Sequence, residues 1–336
     1  MTPKKLACLV CCISSLLLNP YALGQSADDV HVVPRTPSDQ PVPPTNAPPA
    51  NNPSAPYARI NPIKVDVDLV LVPVVVTDAK NRPVLSLRKR NFELYEEDKR
   101  QEIRYFMAED APISIAVLFD VSKSMRDKID TERAAIHEFS MNANPEDEYF
   151  AIGFSDRPRL LEGPTQSIDD VEQKLTSIEP GGSTSMLDAI YLAESELRSA
   201  RYQRKAIIIF SDGGDNASRY TLREIKRLVA ESDVQIYAIG LFETFFFNTV
   251  EERLGKKWLN EITDRTGGRT ITVERRADLA KAAGTISREM RNQYVLGYRP
   301  AVFDGKWRKI RVKVTPATPD QQIQASYKRG YYSAER

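Results

Sequence analysis

The 336-residue chain has very little cysteine and histidine, and this excludes several kinds of chemistry at once. Its 3 cysteines all lie close to the N-terminus, at positions 8, 11 and 12, and its 2 histidines are His31 and His137. A disulfide framework, a thiolate nucleophile and a metal site built from cysteine or histidine are therefore not expected in the folded part.

The chain also lacks a net charge of either sign. Its 47 basic and 46 acidic residues give a formal charge of +1, and loss of Lys4 and Lys5 would leave 45 basic against 46 acidic residues. Because nucleic-acid-binding domains are strongly basic, no nucleic-acid partner is expected.

Residues 1–24 have the composition of a secretory signal peptide. Two lysines precede a largely apolar run at 6–18, and Ala22-Leu23-Gly24 is a small-residue cleavage site. The run is shorter than the roughly 20 residues that span a bilayer, so no transmembrane segment is expected after signal removal. We expect a secreted, periplasmic or cell-envelope protein; an uncleaved N-terminal anchor is the alternative.

Residues 25–62 form a proline-rich linker in this interpretation. Ten prolines fall between Pro34 and Pro62, mixed with small and polar residues. Such a segment buries too little apolar surface to fold and favours extended geometry, with a reach on the order of 80–100 Å. It would serve as a tether to the envelope, or it is a disordered tail with no spacing role.

Two β-rich segments, 63–110 and 292–336, enclose the middle of the chain. Both show runs of β-branched and aromatic residues separated by turn clusters. Because each segment alone would form an unfinished sheet, we expect them to pair into one small β-sandwich. The predicted strands are 65–76, 92–95, 103–106, 294–298, 308–314 and 323–327.

Residues 111–291 alternate between continuous apolar strands and amphipathic helices. This alternation predicts a doubly wound, mostly parallel α/β sheet covered on both faces, inserted into the sandwich. The predicted strands are 113–119, 149–154, 159–162 at an edge, 206–210, 234–241 and 269–273. The predicted helices are 128–141, 168–177, 185–200, 221–231, 258–266 and 277–291.

Five oxygen-bearing side chains follow strands or occupy a glycine-rich loop of this region. Asp120, Ser122 and Ser124 come directly after the strand at 113–119, and Asp212 comes just after 206–210. Thr184 follows Gly181-Gly182. Since ligands bind at the carboxyl ends of the strands in open α/β sheets, we expect the five side chains to share one site for a hard divalent cation.

These motifs resemble the metal-ion-dependent adhesion site of the von Willebrand factor type A family. The pattern DxSxS is present at 120–124, the loop threonine at 184 and the later aspartate in the SDG of 211–213. The resemblance covers about 112–291, and the flanking β segments are similar to a secreted bacterial subgroup of that family.

The resemblance implies a role for each of the five residues. Ser122 and Ser124 would bind Mg²⁺ directly, with Mn²⁺ or Ca²⁺ as alternatives, and Thr184 would bind it directly or through water. Asp120 and Asp212 would hold waters around the ion. An Asp or Glu carboxylate of a protein partner would then complete the coordination. The simpler interpretation is that Asp120 and Ser122 only cap the following helix.

The predicted function is therefore a non-catalytic, Mg²⁺-dependent protein-binding or adhesion module outside the cytoplasm. A metal-dependent phosphatase or hydrolase is the alternative enzyme, but such chemistry needs a second carboxylate two positions after a nucleophilic Asp, where this chain has Ser122. An envelope assembly factor with a vestigial metal site is a third candidate.

Other residues give weaker indications. Phe245, Phe246 and Phe247 follow a predicted strand and would form an apolar part of the partner-binding face, or fold back and become buried. Asp215 and Asn216 are expected to form a turn, and Asp188 to cap or brace its helix. Residues 299–336 carry nine basic and three acidic side chains, which suit a solvated strand face or an anionic wall polymer.

Overall fold

A computed structural model describes residues 69–108, 110–242, 250–318 and 320–335. The predicted signal peptide and linker, and the predicted partner-binding residues Phe245, Phe246 and Phe247, lie outside these ranges. Among the described residues, no helix is both long and apolar enough to cross a bilayer.

The central layer is a six-stranded sheet with the order β10-β9-β8-β5-β6-β7. All neighbouring strands are parallel except β7, which lies antiparallel at the edge beside β6. Every residue of β5 is buried, as expected for a strand covered on both faces. The strands are β5 (Ser114–Asp120), β6 (Glu148–Phe154), β7 (Pro158–Thr165), β8 (Lys205–Ser211), β9 (Gln235–Leu241) and β10 (Thr270–Val273).

Helices cover both faces of this sheet. Helices α1 (Ile129–Ser140), α2 (Ile168–Thr176) and α6 (Leu279–Arg291) share one buried apolar cluster with the sheet. Helices α3 (Met186–Arg198), α4 (Leu222–Glu231) and α5 (Val250–Thr266) share the other. The doubly wound α/β fold predicted from the alternation is confirmed.

The segments before and after this layer pair with each other into two antiparallel four-stranded sheets, ordered β13-β1-β11-β4 and β14-β12-β2-β3. One apolar cluster draws residues from both sheets, so they form a small sandwich. The strands are β1 (Val70–Asp78), β2 (Phe92–Glu96), β3 (Lys99–Gln101), β4 (Tyr105–Met107), β11 (Gln293–Tyr298), β12 (Trp307–Val314), β13 (Ile323–Tyr327) and β14 (Gly330–Tyr332).

The differences from the sequence-based elements are small and local. The strand predicted at 103–106 is present as β4, Tyr105–Met107, whereas β3, which belongs to the other sheet, was not predicted. Helix α5 begins eight residues before the predicted start, and β14 was not predicted. Helix α4 begins with a capping box, in which Thr221 and Glu224 exchange side-chain and backbone hydrogen bonds.

Candidate metal centre

The site begins at the carboxyl end of β5, where Ser122 is extended and Ser124 lies in a short 3-10 helix, Lys123–Met125. The Ser122 backbone N–H donates to Asp120 Oδ1 at 3.0 Å, and the Ser122 and Ser124 hydroxyl oxygens lie 3.1 Å apart. Asp120 and Ser122 are buried, whereas Ser124 is exposed. The DxSxS pattern thus brings two hydroxyls together at the rim with a carboxylate beneath them.

The end of β8 joins the same cluster through a residue that the sequence pattern did not single out. The Ser211 hydroxyl donates to Asp120 Oδ2 at 2.6 Å, and accepts from the Gly213 backbone N–H at 2.9 Å. The next residue, Asp212, accepts from the Gly214 N–H through Oδ1 at 3.3 Å. Ser211 therefore links the Asp120 carboxylate at the end of β5 to the loop after β8 that carries Asp212.

The loop that carries Thr184 is hydrogen-bonded to the loop after β8. The Thr184 N–H donates to Asn216 Oδ1 at 2.9 Å, and the Thr184 carbonyl accepts from the Asn216 and Ala217 N–H groups at 3.0 Å each. A Cβ placed on Gly214 would lie 3.5 Å from Asp212 Oδ1 and 4.0 Å from Thr184 Oγ1. The threonine hydroxyl and the Asp212 carboxylate thus face the same small space.

Asp215 and Asp188 brace this arrangement. Asp215 Oδ2 accepts from the Leu187 N–H at 2.9 Å at the start of α3, and also from the Ser218 hydroxyl at 2.7 Å. Asp188 Oδ1 accepts from two backbone N–H groups of the loop, at residues 219 and 220, at 2.9 and 3.1 Å. Their oxygens are occupied by backbone and hydroxyl donors, which agrees with the turn-forming and bracing roles expected from the sequence.

Two glycines allow the loop after Asp212 to lie against α5. Gly213 has φ of +82°, and a Cβ on it would lie 2.7 Å from the Gly255 carbonyl carbon. A Cβ on Gly255 would in turn overlap the Gly213 carbonyl. The position of Asp212 therefore depends on a backbone-to-backbone approach that only glycine permits at both positions.

Burial is the largest cause of the shift in the Asp120 pKa. Burial, and after it the Asp212 charge, raises the pKa of Asp120 to about 6. The hydrogen bonds from Ser122 and Ser211 act in the opposite direction. Two carboxyl groups held close at a buried rim disfavour each other's charge, and a bound cation would relieve this repulsion.

Two charged residues beside the site were missed by the sequence reasoning. Lys128 precedes α1, and its ammonium nitrogen lies 3.9 Å from Asp212 Oδ2. One turn later, Glu132 is fully buried, and neither of its carboxyl oxygens has a hydrogen-bond partner among the described residues. Burial raises the Glu132 pKa well above its usual range; Asp120 and Asp212 add to the shift, and Lys128 opposes it.

A sequence signal for Glu132 was present. It is a lone carboxylate on the face of α1 that also carries Ala135, Ile136 and Phe139, all of which are buried. Acidic residues are rarely buried without a charged or hydrogen-bonding partner, so a glutamate on an apolar helical face indicates a functional site nearby.

The donor set suits a hard cation with few charged ligands. Three hydroxyls and two carboxylates lie at one rim, and oxygen is what Mg²⁺, Mn²⁺ and Ca²⁺ prefer. Within the described ranges, no group of three or more His, Cys, Asp or Glu side chains could hold a metal ion. Any ion held at this rim would therefore depend on hydroxyl oxygens.

Residues 115–214 match the family model of the von Willebrand factor type A domain. The resemblance to this domain is confirmed over the matched segment, which contains all five predicted site residues. The adhesion-type metal site and the secreted bacterial subgroup stay predictions. A comparison with curated proteins found no match.

Solved structures give partial matches with low sequence identity. A von Willebrand factor type A protein from Catenulispora acidiphila is 12% identical, with 80% of this chain and 74% of that chain covered and a TM-score of 0.46. An aerotolerance-related membrane protein from Bacteroides fragilis is 19% identical, with 53% and 98% covered and a TM-score of 0.44. Proximal thread matrix protein 1 from the mussel byssus, with a zinc-occupied MIDAS motif, is 18% identical, with 58% and 49% covered and a TM-score of 0.47.

Proposed function

We propose that the chain is a non-catalytic binding module that holds a divalent cation, in the first place Mg²⁺, and uses it to bind an acidic group of a protein partner. Ser122 and Ser124 would supply direct ligands, Thr184 would bind the ion directly or through water, and Asp120 and Asp212 would hold the surrounding waters. When bound, the cation supplies an electrophilic centre for the partner's carboxylate. The observation that supports this proposal is the meeting of three hydroxyls and two carboxylates at one rim of the sheet.

The charges around the site favour an anionic partner. The two carboxylates of Asp120 and Asp212 balance a divalent ion, and the nearby Lys128 ammonium adds one positive charge. Burial raises the pKa of Glu132 well above its usual range, which disfavours a negative charge at that position. With the cation bound, the site would therefore carry an excess of positive charge. Because the Ser124 side chain is exposed at this rim, the carboxylate of a partner could reach the site and be stabilised there.

The remaining expectations belong to the same proposal. The module would act outside the cytoplasm, in the secreted, periplasmic or envelope space, with residues 1–24 as signal and 25–62 as spacer. Residues 63–110 and 292–336 would form one β domain, and 111–291 the binding domain. Phe245, Phe246 and Phe247 would contribute apolar contacts to the partner.

The first test measures metal binding alone. We expect Mg²⁺ to bind the purified chain in isothermal titration calorimetry, and the substitution Thr184→Ala to weaken it by at least about tenfold, as loss of a ligand or its support does. Ser183→Ala is the matched control, because it removes the neighbouring hydroxyl of the same loop and should leave affinity unchanged. Equal Mg²⁺ affinities for the wild type and Thr184→Ala would show that the five residues do not form the site.

The second test concerns the partner. The chain is used to capture proteins from the native cell-envelope extract with Mg²⁺, with a chelator, and with Thr184→Ala in Mg²⁺. We expect capture in the first condition only, with the fold intact in all three by circular dichroism. A partner retained equally in chelator would refute metal-dependent binding, even if the metal itself binds.

A further inference from the structure

The outward face of the second sandwich sheet is rich in cationic and aromatic side chains. Strand β12 alternates an inward row, which includes buried Ile310 and Val312, with an outward row. Residues that pair across antiparallel strands share a face, so β2, β3 and β14 add to the outward row. Its members are Trp307, Lys309, Arg311 and Lys313 of β12, Glu93 and Tyr95 of β2, Arg100 of β3, and Tyr332 of β14.

The charge of this face is positive. Four of its members are basic, and its one acidic member, Glu93, lies 3.4 Å from Arg100. From the turn beyond β2, Asp98 forms an ion pair with Arg311 at 2.9 Å, and Glu97 accepts from the Lys309 backbone N–H at 2.6 Å, which leaves a net charge of one positive unit. Arg311 and Lys313 both lie over the Tyr95 ring, at 4.2 and 5.4 Å from its centroid. Lys309 and Lys313 are exposed, so two ammonium groups point to solvent along one row.

At one end of this row, an exposed tryptophan is held in place by the sheet. The Trp307 indole lies against Gly330 on the neighbouring strand, where a Cβ would overlap its six-membered ring. Tyr332 packs edge-on at a centroid distance of 5.1 Å and an interplanar angle of 68°. Trp307 is 37% exposed and Tyr332 is 41% exposed. The indole is thus covered on one side and partly open to solvent, with little freedom left to lose on binding a ligand.

We propose that this face binds an anionic polysaccharide. A sugar ring has an apolar face of C–H groups that packs against a fixed aromatic ring, and the carboxylate, sulfate or phosphate groups of an acidic glycan pair with Lys and Arg. The outward row from Trp307 to Lys313 spans about 20 Å at 3.4 Å per residue, which is enough for several sugar units. The rings lie against the sheet rather than project from it, which suits an extended polymer better than insertion into a bilayer.

This face is separate from the metal centre. Tyr331 and Tyr332 of β14 line a cavity of about 740 Å³ together with Ala206 of β8 and Gln235 of β9. Ala206 and Gln235 lie at the amino ends of their strands, whereas the metal centre lies at the carboxyl ends. The sheet that carries the cationic face is therefore at the opposite edge of the parallel sheet, and the two surfaces can be occupied at the same time.

The experiment uses the fluorescence of the proposed platform. The chain has 2 tryptophans, Trp258 and Trp307. In a Trp258→Phe background, emission reports Trp307 alone. Polygalacturonate is titrated in the presence of a chelator, so that the metal centre cannot contribute, and the same polymer with its carboxylates methyl-esterified is the matched ligand. We expect a saturable emission change with the acidic polymer that weakens with salt, and little with the ester.

Two pairs of substitutions make the test specific. Lys309→Gln with Lys313→Gln should weaken binding by roughly tenfold, since each contact to an exposed charge contributes a modest amount. Arg223→Gln with Lys281→Gln removes the same charge from exposed positions elsewhere and should leave affinity unchanged. Unchanged affinity in Lys309→Gln with Lys313→Gln, or an equal loss in the control pair, would overturn the proposal. Equal binding of the ester, or preferential binding of phosphatidylglycerol vesicles or single-stranded DNA, would do the same.

Discussion

The stability of the fold should depend on the ionisation of Glu194, a buried glutamate of α3. Glu194 is 5% exposed, and its Oε1 has no hydrogen-bond partner among the described residues. Burial, with a smaller contribution from the Asp233 charge, raises the pKa of Glu194 from 4.5 to about 7, although a contact with Ser232 and the charges of Lys328 and Arg198 act in the opposite direction.

The sign of the effect on stability follows from proton binding in the two states. Between about pH 4.5 and about pH 7, the unfolded chain releases the Glu194 proton whereas the folded chain keeps it. The free energy of unfolding should therefore fall as pH rises through this window and level off above it. One pKa unit corresponds to about 1.4 kcal/mol, so the full contribution is up to about 3 kcal/mol.

The substitution Glu194→Gln isolates this contribution, because glutamine resembles the protonated acid but cannot ionise. We expect little change in the free energy of urea unfolding at about pH 4.5 and a stabilisation of up to about 3 kcal/mol at about pH 7.5. Lys328 contributes with the opposite sign, since burial lowers its pKa, and is common to both proteins. Glu179→Gln, at an exposed position, is the control. A variant less stable than the wild type at neutral pH would refute this reasoning, because Glu194 would then be ionised and favourably paired.

The remaining predictions concern the loop at the metal centre and the buried ion pair between Arg291 and Asp147. Gly255→Ala should cost about 1–3 kcal/mol of unfolding free energy and also weaken Mg²⁺ binding, because the new Cβ displaces the loop at Gly213. Gly284→Ala, inside α6, should leave Mg²⁺ affinity unchanged, since its Cβ would lie against the Glu138 and Arg288 side chains, away from the metal centre. Retained Mg²⁺ affinity in Gly255→Ala would count against the proposed coupling. Arg291→Met should cost about 3–5 kcal/mol by denaturant unfolding, because it leaves Asp147 buried without the guanidinium that now lies 2.7 Å away; a loss below about 1 kcal/mol would mean that Asp147 becomes protonated at little cost.

The long elements were predictable from the sequence because they obey a single period. Apolar runs such as Ile207–Ile209 have no polar residue to interrupt them, and the helices show apolar stripes bounded by caps such as Thr221. The short elements were not, because three residues carry no period. The charged cluster at 96–100 indicates a turn, but the turn itself is as short as Glu97 and Asp98, with φ of 46° and 63°, and β3 already begins at Lys99.

The candidate site was likewise predictable from the sequence only in part. Strand ends and the DxSxS spacing were enough to indicate that Asp120 and Asp212 would meet, because parallel strands finish at one edge. They did not indicate Ser211 as the bridge between them, or Lys128 and Glu132 beside them. Which residues of a helix face a site depends on how that helix packs on the sheet, and this is a tertiary property.

The position of β1 has a consequence for mechanical load. The strand follows the proline-rich segment in the chain and lies between β11 and β13, paired through six residues on one side and five on the other. A pull on the N-terminal end, while a partner holds the metal rim, would run along β1 and strain both hydrogen-bond ladders in shear. The backbone hydrogen bonds of both strand pairs would then share the force, whereas in a peeling geometry they would break one at a time.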